Sequence, residues 1–255
     1  MSQISEEKLE RAAGLFRKAK YAVAFTGAGI STPSGIPDFR SNKSGLWEKE
    51  NPNEVASLTV FNTKPETFFD WFRPLARTAF LAFPNQAHIA LAKLEEAGII
   101  KAVITQNIDN LHQRAGSTNV VEVHGTMNTF TCLSCGKHHR LSDIAGSFFD
   151  RDEIPFCEIC RKPLKPDVIL FEELLSMKAW ADAEMHFEKA DLVLVAGSSL
   201  EVTPANSLPV HAHRKGAILM INNLSDTFLD GYAEFVFHNN VVDTIPKLAN
   251  LILNT

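Results

Sequence analysis

No stretch of this sequence approaches the ~18–20 consecutive apolar residues that a membrane-spanning helix needs. The opening Met-Ser-Gln-Ile-Ser-Glu-Glu-Lys also lacks the apolar core of a signal peptide. These absences predict a cytoplasmic protein that uses no membrane. Positive charge is not in surplus either: 25 Lys and Arg stand against 30 Asp and Glu, a net charge of −5. That balance argues against unspecific nucleic-acid binding, which draws on excess cations to neutralise phosphates. Internal repeats and low-complexity tracts are missing. Cysteine is scarce, with only four in 255 residues. In a reducing compartment they read as metal ligands before disulfides. What remains is 45% hydrophobic and 22% charged, an ordinary globular composition.

The pattern along the chain is strand and helix in alternation. Ser5 to Lys18 reads as an amphipathic helix with Ser5 as cap and Leu9, Ala12, Ala13 and Phe16 on one face. Short apolar strands are expected at 21–25, 102–105, 120–123, 192–196, 217–221 and 235–237. Helices are expected between them at 85–97, 109–115, 179–189, 204–213 and 243–253. Nearly all-apolar strands separated by helices predict a doubly wound α/β domain with a parallel sheet covered on both faces. Two stretches interrupt the alternation. Residues 41–83 gather Phe61, Phe68, Phe69, Trp71, Phe72, Phe80 and Phe83 between prolines, a helical insertion rather than a polar linker. It can form a satellite core, an apolar channel wall, or both. The second interruption, 127–165, holds the cysteines.

Cys132-x-x-Cys135 and Cys157-x-x-Cys160 lie 21 residues apart. Two such knuckles can present four thiolates tetrahedrally to Zn²⁺, which leaves no open position and makes the metal structural. A pair of redox dithiols is the competing reading. His138 and His139 nearby are expected at the surface.

Polar groups cluster where strands end, the edge at which open parallel sheets bind ligands. Gly27-Ala28-Gly29 follows the first strand, where absent Cβ atoms let the backbone turn and approach a diphosphate, with Ser31 and Thr32 as plausible helix caps. The third glycine of a dinucleotide fingerprint is missing, since Thr32 stands there, and no convincing ribose-binding acid follows about twenty residues on. A simple βα turn therefore stays open. Gln106, Asn107 and Asp109 follow the second strand and can recognise a carboxamide and ribose hydroxyls, or merely cap a turn. His124 beside Gly125 is a candidate base. Ser198 with Ser199, and Asn222 with Asn223, close two further strands.

Taken together, Gly-Ala-Gly-Ile-Ser, Gly-Ile-Pro-Asp-Phe-Arg (35–40), Thr-Gln-Asn-Ile-Asp (105–109), Leu-His-Gln-Arg-Ala-Gly (111–116), His124-Gly125, the doubled CxxC and Gly-Ser-Ser-Leu (197–200) resemble the sirtuin family of NAD-dependent protein deacylases, over essentially the whole chain. Compact bacterial members look closest. The resemblance implies a single catalytic domain over 1–255, with a Rossmann-type core for NAD and a small lobe made from 41–83 and the zinc module 127–165. It implies acetylated protein lysines as substrate, transfer of the acyl group to ADP-ribose, release of nicotinamide, and a monomer.

By the same resemblance, Ala28 and Thr32 meet the diphosphate and its neighbours, while Phe39 and Arg40 shape the nicotinamide end. Gln106 faces the ribose, and Ile108 and Asp109 the nicotinamide carboxamide. Ser198 and Ser199 bind phosphate, Asn223 (or Asn222) and Leu224 the adenosine ribose, and Val241 the adenine. His124 is the base, with Asn107 as its catalytic companion. Protein ADP-ribosyl transfer would use the same cleft. A non-catalytic zinc and nucleotide module is a third reading, against which the intact His124, Asn107 and Asp109 argue.

Some positions depart from the family pattern. Lys165 stands where Arg is usual, and Glu172 where a glycine is usual in the strand expected to pair with the substrate peptide. Leu174 replaces a frequent Asn, and Asn240 an acid before Val241. Members that prefer succinyl or malonyl groups carry Tyr and Arg three residues apart in the insertion. Phe72 and Leu75 occupy those places here, and helical geometry is expected to turn Arg73 and Arg77 elsewhere.

Overall fold

The computed structural model describes residues 4–38 and 51–254. Phe39 and Arg40 lie outside the described residues. The strands are β1 (Ala22–Thr26), β2 (Ile100–Thr105), β3 (Val120–Glu122), β4 (Gly125–Cys132), β5 (His138–Arg140), β6 (Leu164–Val168), β7 (Leu192–Ala196), β8 (Ile218–Asn222) and β9 (Phe235–Phe237). Every residue of β1 and β7 is buried, as apolar five-residue runs demand when both sheet faces are covered. Six strands form the parallel sheet in the order β3-β2-β1-β7-β8-β9. The strand order reverses between β1 and β7, which opens a crevice beyond their carboxyl ends.

Helices cover both faces. Glu6–Lys18, Gln86–Glu96 and Val241–Leu253 pack through Leu9, Phe16, Leu91 and Ile245 on one side. Met177–Lys189 and Ser207–Arg214 pack through Phe187 and Leu208 on the other. The first helix buries Leu9, Ala12, Ala13 and Phe16, and Ser5 accepts from Lys8 N, as the sequence predicts. The glycine turn departs from expectation. Among the described residues up to Asp38, short 3₁₀ turns, Ala28–Ile30 and Thr32–Ser34, follow β1. Neither Ser31 nor Thr32 caps an α-helix, so no helix dipole points from this turn at a ligand.

A second apolar core joins the aromatic helix Pro65–Leu81 to the cysteine-bearing segment. Phe68, Phe69, Phe72, Phe130 and Phe148 are fully buried with edge-on and tilted ring contacts. Phe80, 43% exposed, reaches only the edge of this core at Phe149, 5.2 Å between ring centroids, and Phe83 is 78% exposed. β4, β5 and β6 form an antiparallel sheet that periodicity does not reveal. Along β4 the buried residues are Met127, Phe130 and Cys132, and the register slips between Gly125 and Phe130, so the two-residue alternation is broken. Among the described residues, no helix is long and apolar enough to cross a membrane.

Candidate active site and metal centre

The crevice is a cavity of about 1310 Å³ lined from five strand ends. Ala28 and Thr32 enter from the turn after β1, and Gln106, Asn107, Ile108 and Asp109 from the turn after β2. His124 enters after β3, Ser198 and Ser199 after β7, and Asn223 and Leu224 after β8, while Val241 opens the last helix. The described residues expected to bind NAD or act in catalysis therefore share one cavity, with the exception of the alternative Asn222. Asn222 is not on its wall; its amide donates to Phe237 O and Asn239 O. Leu224 is exposed, and the Asn223 amide donates to Ser225.

The glycines of the first turn serve the protein's own packing. Gly29 N donates to Gly197 O at 2.8 Å, and a Cβ on Gly29 would come within 2.8 Å of that oxygen. Gly197 has φ 61°, and a Cβ there would lie 2.2 Å from Ile30 N. The β1 and β7 turns thus interlock at the reversal point and bring Ala28 and Ser198 to the same wall. Gly27 and Gly29 line the cavity on one side and are approached by the β7 turn on the other. Gln106 ties a third turn in, donating to Ser198 Oγ at 2.9 Å.

His124 is oriented by its neighbour in the crevice: Nδ1 lies 3.1 Å from Gln106 O. A carbonyl can only accept, so Nδ1 carries the hydrogen and Nε2 is the basic nitrogen. The next residue, Gly125, has φ 76°, and a Cβ there would come within 2.0 Å of Asp167 O, so no side chain fits.

Beneath this wall runs a buried polar chain that sequence reasoning missed. Asn85 N donates to His88 Nδ1, which leaves the Nε2 hydrogen facing Ser31 Oγ at 3.4 Å. Ser31 Oγ donates to Asp109 Oδ2 at 2.6 Å and accepts from Asn107 Nδ2 at 3.0 Å. Asp109 is held again by Leu111 N at 2.9 Å, and His112 bonds Thr26 Oγ1 at 2.9 Å. Burial lowers the His88 pKa to about 4 and, with His88 beside it, takes His112 well below its usual value. Both imidazoles are neutral near pH 7. Burial pushes the Asp109 carboxyl upward, against the hydrogen bond from Ser31. A histidine on the buried face of the helix Gln86–Glu96, among Ala87, Ala90 and Leu91, was the available clue.

Glu122, two residues before His124, is a half-buried acid with one shielded oxygen. Its Oε1 has no hydrogen-bond partner among the described residues. Burial raises its pKa from 4.5 to about 7, only partly offset by bonds from Gln113 and Thr126. A raised carboxyl pKa contributes stability that is complete below about pH 4.5 and disappears as pH rises through about 7. The Glu122→Gln protein should therefore match the wild type near pH 5 and exceed its unfolding free energy at pH 9 by on the order of 2 kcal/mol. Urea unfolding at the two pH values checks this, and a gap that does not grow with pH would refute it.

The cysteines meet as their spacing predicts. All four Sγ atoms lie within 4.8 Å of one another, with Cys135 and Cys157 at 3.7 Å. Four sulfurs about 2.3 Å from Zn²⁺ in a tetrahedron sit about 3.8 Å apart, so the set fits the ion. The two knuckles are built alike. Gly136 N donates to Cys132 O and Arg161 N to Cys157 O, and both residues take positive φ. None of the four lines the cavity, as a structural metal requires. His138 is exposed, and His139 is half-buried on β5. Cys157→Ala should lose stoichiometric zinc and unfold the small sheet, with activity falling indirectly. A folded, fully active variant without zinc would count against it.

The apolar insertion forms both a core and a wall. Trp71, Phe72 and Leu75 line the cavity. Arg73 and Arg77 turn away, as helical geometry predicts: Arg73 is 8% exposed, its guanidinium over the Phe148 ring and 3.7 Å from Asp152. Arg77 reaches Asp152 at 3.6 Å. Residue 172 is not in a paired strand. Among the described residues Phe171 bridges to Ser57, and Glu172 sits in a turn at φ 76°, a conformation that glycine adopts most easily. Its carboxylate accepts from Thr59 N at 2.9 Å and does not line the cavity.

A profile of the Sir2 family matches residues 27–204. An NAD-dependent protein deacetylase from Sulfurisphaera tokodaii is 43% identical over 244 residues, 95% of each chain. A solved structure described as the structural basis for the mechanism and regulation of Sir2 enzymes superposes with a TM-score of 0.90 at 41% identity, covering 98% of this chain and 99% of that one. Another, a Sir2 protein with deacetylated p53 peptide and 3′-O-acetyl-ADP-ribose, gives 0.88 at 38% identity, over 94% and 97%.

Proposed function

The chain belongs to the Sir2 family, and from that premise we propose that it is an NAD-dependent protein-lysine deacetylase. It moves the acetyl group of a modified lysine to ADP-ribose and releases nicotinamide, free lysine and O-acetyl-ADP-ribose. The observation that carries this reading is the convergence of five strand ends on one cavity with an oriented histidine among them. A similar Sir2 protein has been solved with deacetylated p53 peptide and 3′-O-acetyl-ADP-ribose bound, the two products this reading requires.

In the proposed assignment, Ser198, Ser199, Ala28 and Thr32 face the diphosphate, and Asn223, Leu224 and Val241 hold the adenosine. Gln106 faces the nicotinamide ribose. Ile108 and Asp109 face the carboxamide, with Asp109 locked by Ser31. Asn107 is fixed by its bonds to Gly27 O and Ser31 Oγ and lies beside the reacting centre. His124 Nε2 takes a proton from the ribose hydroxyls so that oxygen can attack the activated acyl carbon. Trp71, Phe72 and Leu75 keep water from that carbon. Phe39 and Arg40 belong to the nicotinamide end in the same assignment. Zn²⁺ on Cys132, Cys135, Cys157 and Cys160 supports the small lobe and takes no part in the reaction. That lobe is assigned to 41–83 and 127–165 of a single 1–255 catalytic domain. The enzyme acts as a cytoplasmic monomer without nucleic acid, a setting consistent with four free thiols gathered for a metal. Incubation with NAD and an acetyl-lysine peptide, followed by mass spectrometry, should yield O-acetyl-ADP-ribose. Transfer of ADP-ribose to protein with no loss of acetyl groups would overturn the reading.

A further inference from the structure

Lys165 is a buried lysine outside the cavity, on a strand of the small antiparallel sheet, and the chemistry above makes no use of it. It is 6% exposed. An ammonium has three N–H donors, and here each has an acceptor. Lys165 Nζ lies 3.0 Å from Pro166 O, 2.8 Å from Val168 O and 2.9 Å from Glu173 Oε2. That same carboxylate oxygen accepts from Leu170 N at 2.8 Å. Between these anchors, Ile169 N donates to His124 O at 2.9 Å. One buried charge therefore gathers both ends of the segment 168–173, whose middle is bonded to the backbone of the proposed base.

The segment is also a wall of the cavity. Val168, Ile169, Leu170, Phe171 and Glu173 all line it, and Leu174, at its lip, is 92% exposed. Its far side is tied down separately, through Phe171 N to Ala56 O and Leu58 N to Phe171 O. Those bonds hold the segment against the insertion but do not set its curvature toward His124. The ammonium contributes to it, drawing Val168 O to the Glu173 carboxylate across a turn that Glu173 N also closes on Leu170 O at 3.1 Å. Without the charge, the Glu173 carboxylate would keep only Leu170 N, and the carbonyls of Pro166 and Val168 would each lose a buried donor, which favours movement of the segment.

Building on the deacetylase reading, we propose that Lys165 is a positioning residue for the acyl-lysine peptide, acting through Glu173 and the carbonyl of Val168 on the cavity wall beside His124. The NAD side of the cavity hangs on the turns after β1, β7 and β8, which Lys165 does not touch. Loss of the ammonium should thus be felt in peptide binding rather than NAD binding.

The test uses the full-length, zinc-loaded protein with Lys165→Met and Lys165→Arg. Hydrogen–deuterium exchange across 168–173 should rise about tenfold or more in Lys165→Met, with exchange in β1 and β7 unchanged. The KM for an acetyl-lysine peptide should rise about tenfold, with the KM for NAD within about twofold. Lys165→Arg, which restores a buried cation, should recover most of both. Unchanged exchange in 168–173, or equal losses toward peptide and NAD, would overturn the proposal. If Lys165→Met fails to fold, Glu173→Gln keeps the shape, removes the partner charge and is read in the same way. A wild-type protein that makes no O-acetyl-ADP-ribose would sink the deacetylase reading instead, while the exchange data would still decide the role of Lys165.

Discussion

Replacing His124 by alanine is expected to lower deacetylation turnover by roughly 10²-fold or more, the usual scale for a lost general base. NAD affinity should survive largely intact. The expectation rests on geometry. Gln106 O fixes Nδ1 as the protonated nitrogen, so the imidazole is held in one tautomer with its basic nitrogen opposite. The backbone is held independently, since His124 O accepts from Ile169 N and Gly125 fits only without a Cβ. Removing the ring thus deletes a base without freeing the loop. Single-turnover kinetics with acetyl peptide, alongside calorimetric titration with NAD, separate the two effects. Wild-type turnover in the variant would remove His124 from the mechanism, and a matching loss of NAD affinity would make it a binding residue instead.

Succinyl-lysine should be processed with a kcat/KM roughly 10²-fold or more below that of acetyl-lysine on the same peptide. The extra carboxylate would have to enter a wall of Trp71, Phe72 and Leu75. An ion buried without a partner costs several kcal/mol, and 3 kcal/mol is already about 10²-fold. The nearest cations on that helix are committed elsewhere: Arg73 to Asp152, Asp70 and the Phe148 ring, and Arg77 to Asp152 and the Phe149 ring. Parallel progress curves on acetyl and succinyl forms of one peptide measure the ratio. A succinyl preference would mean that Arg73 or Arg77 swings into the cavity, and Asp152→Ala should then strengthen it.

The fold was legible wherever burial imposes a simple pattern on the chain. Strands covered on both faces must be apolar throughout, so β1, β7 and the helix Glu6–Lys18 could be read almost to the residue. The strands of the cysteine segment could not. Their bulged register breaks the alternation, and hydrophobic burial there is shared with the fully buried rings of a helix some sixty residues away in sequence. The glycine turn was found, but its packing against the β7 turn and the short 3₁₀ turns that follow it were not, because a glycine needed by another loop looks like any other in one dimension.

By itself, the sequence determined which chemistries were present: four thiolates at metal spacing, polar groups after successive strands, a histidine beside a glycine, and an aromatic insertion without a paired cation. Local spacing decides these, since a knuckle or a strand end involves only a few neighbouring residues. Only the tertiary structure decided what those groups face. The reversal between β1 and β7 brings five strand ends to one cavity. Packing between distant elements also sets Ser31 and His88 beside Asp109, and turns Arg73 onto Asp152. The turn after β6 likewise carries Glu173 back to Lys165. Such contacts depend on the register and packing of elements far apart in the chain, where a shift of one residue changes every partner, and no local pattern encodes that choice.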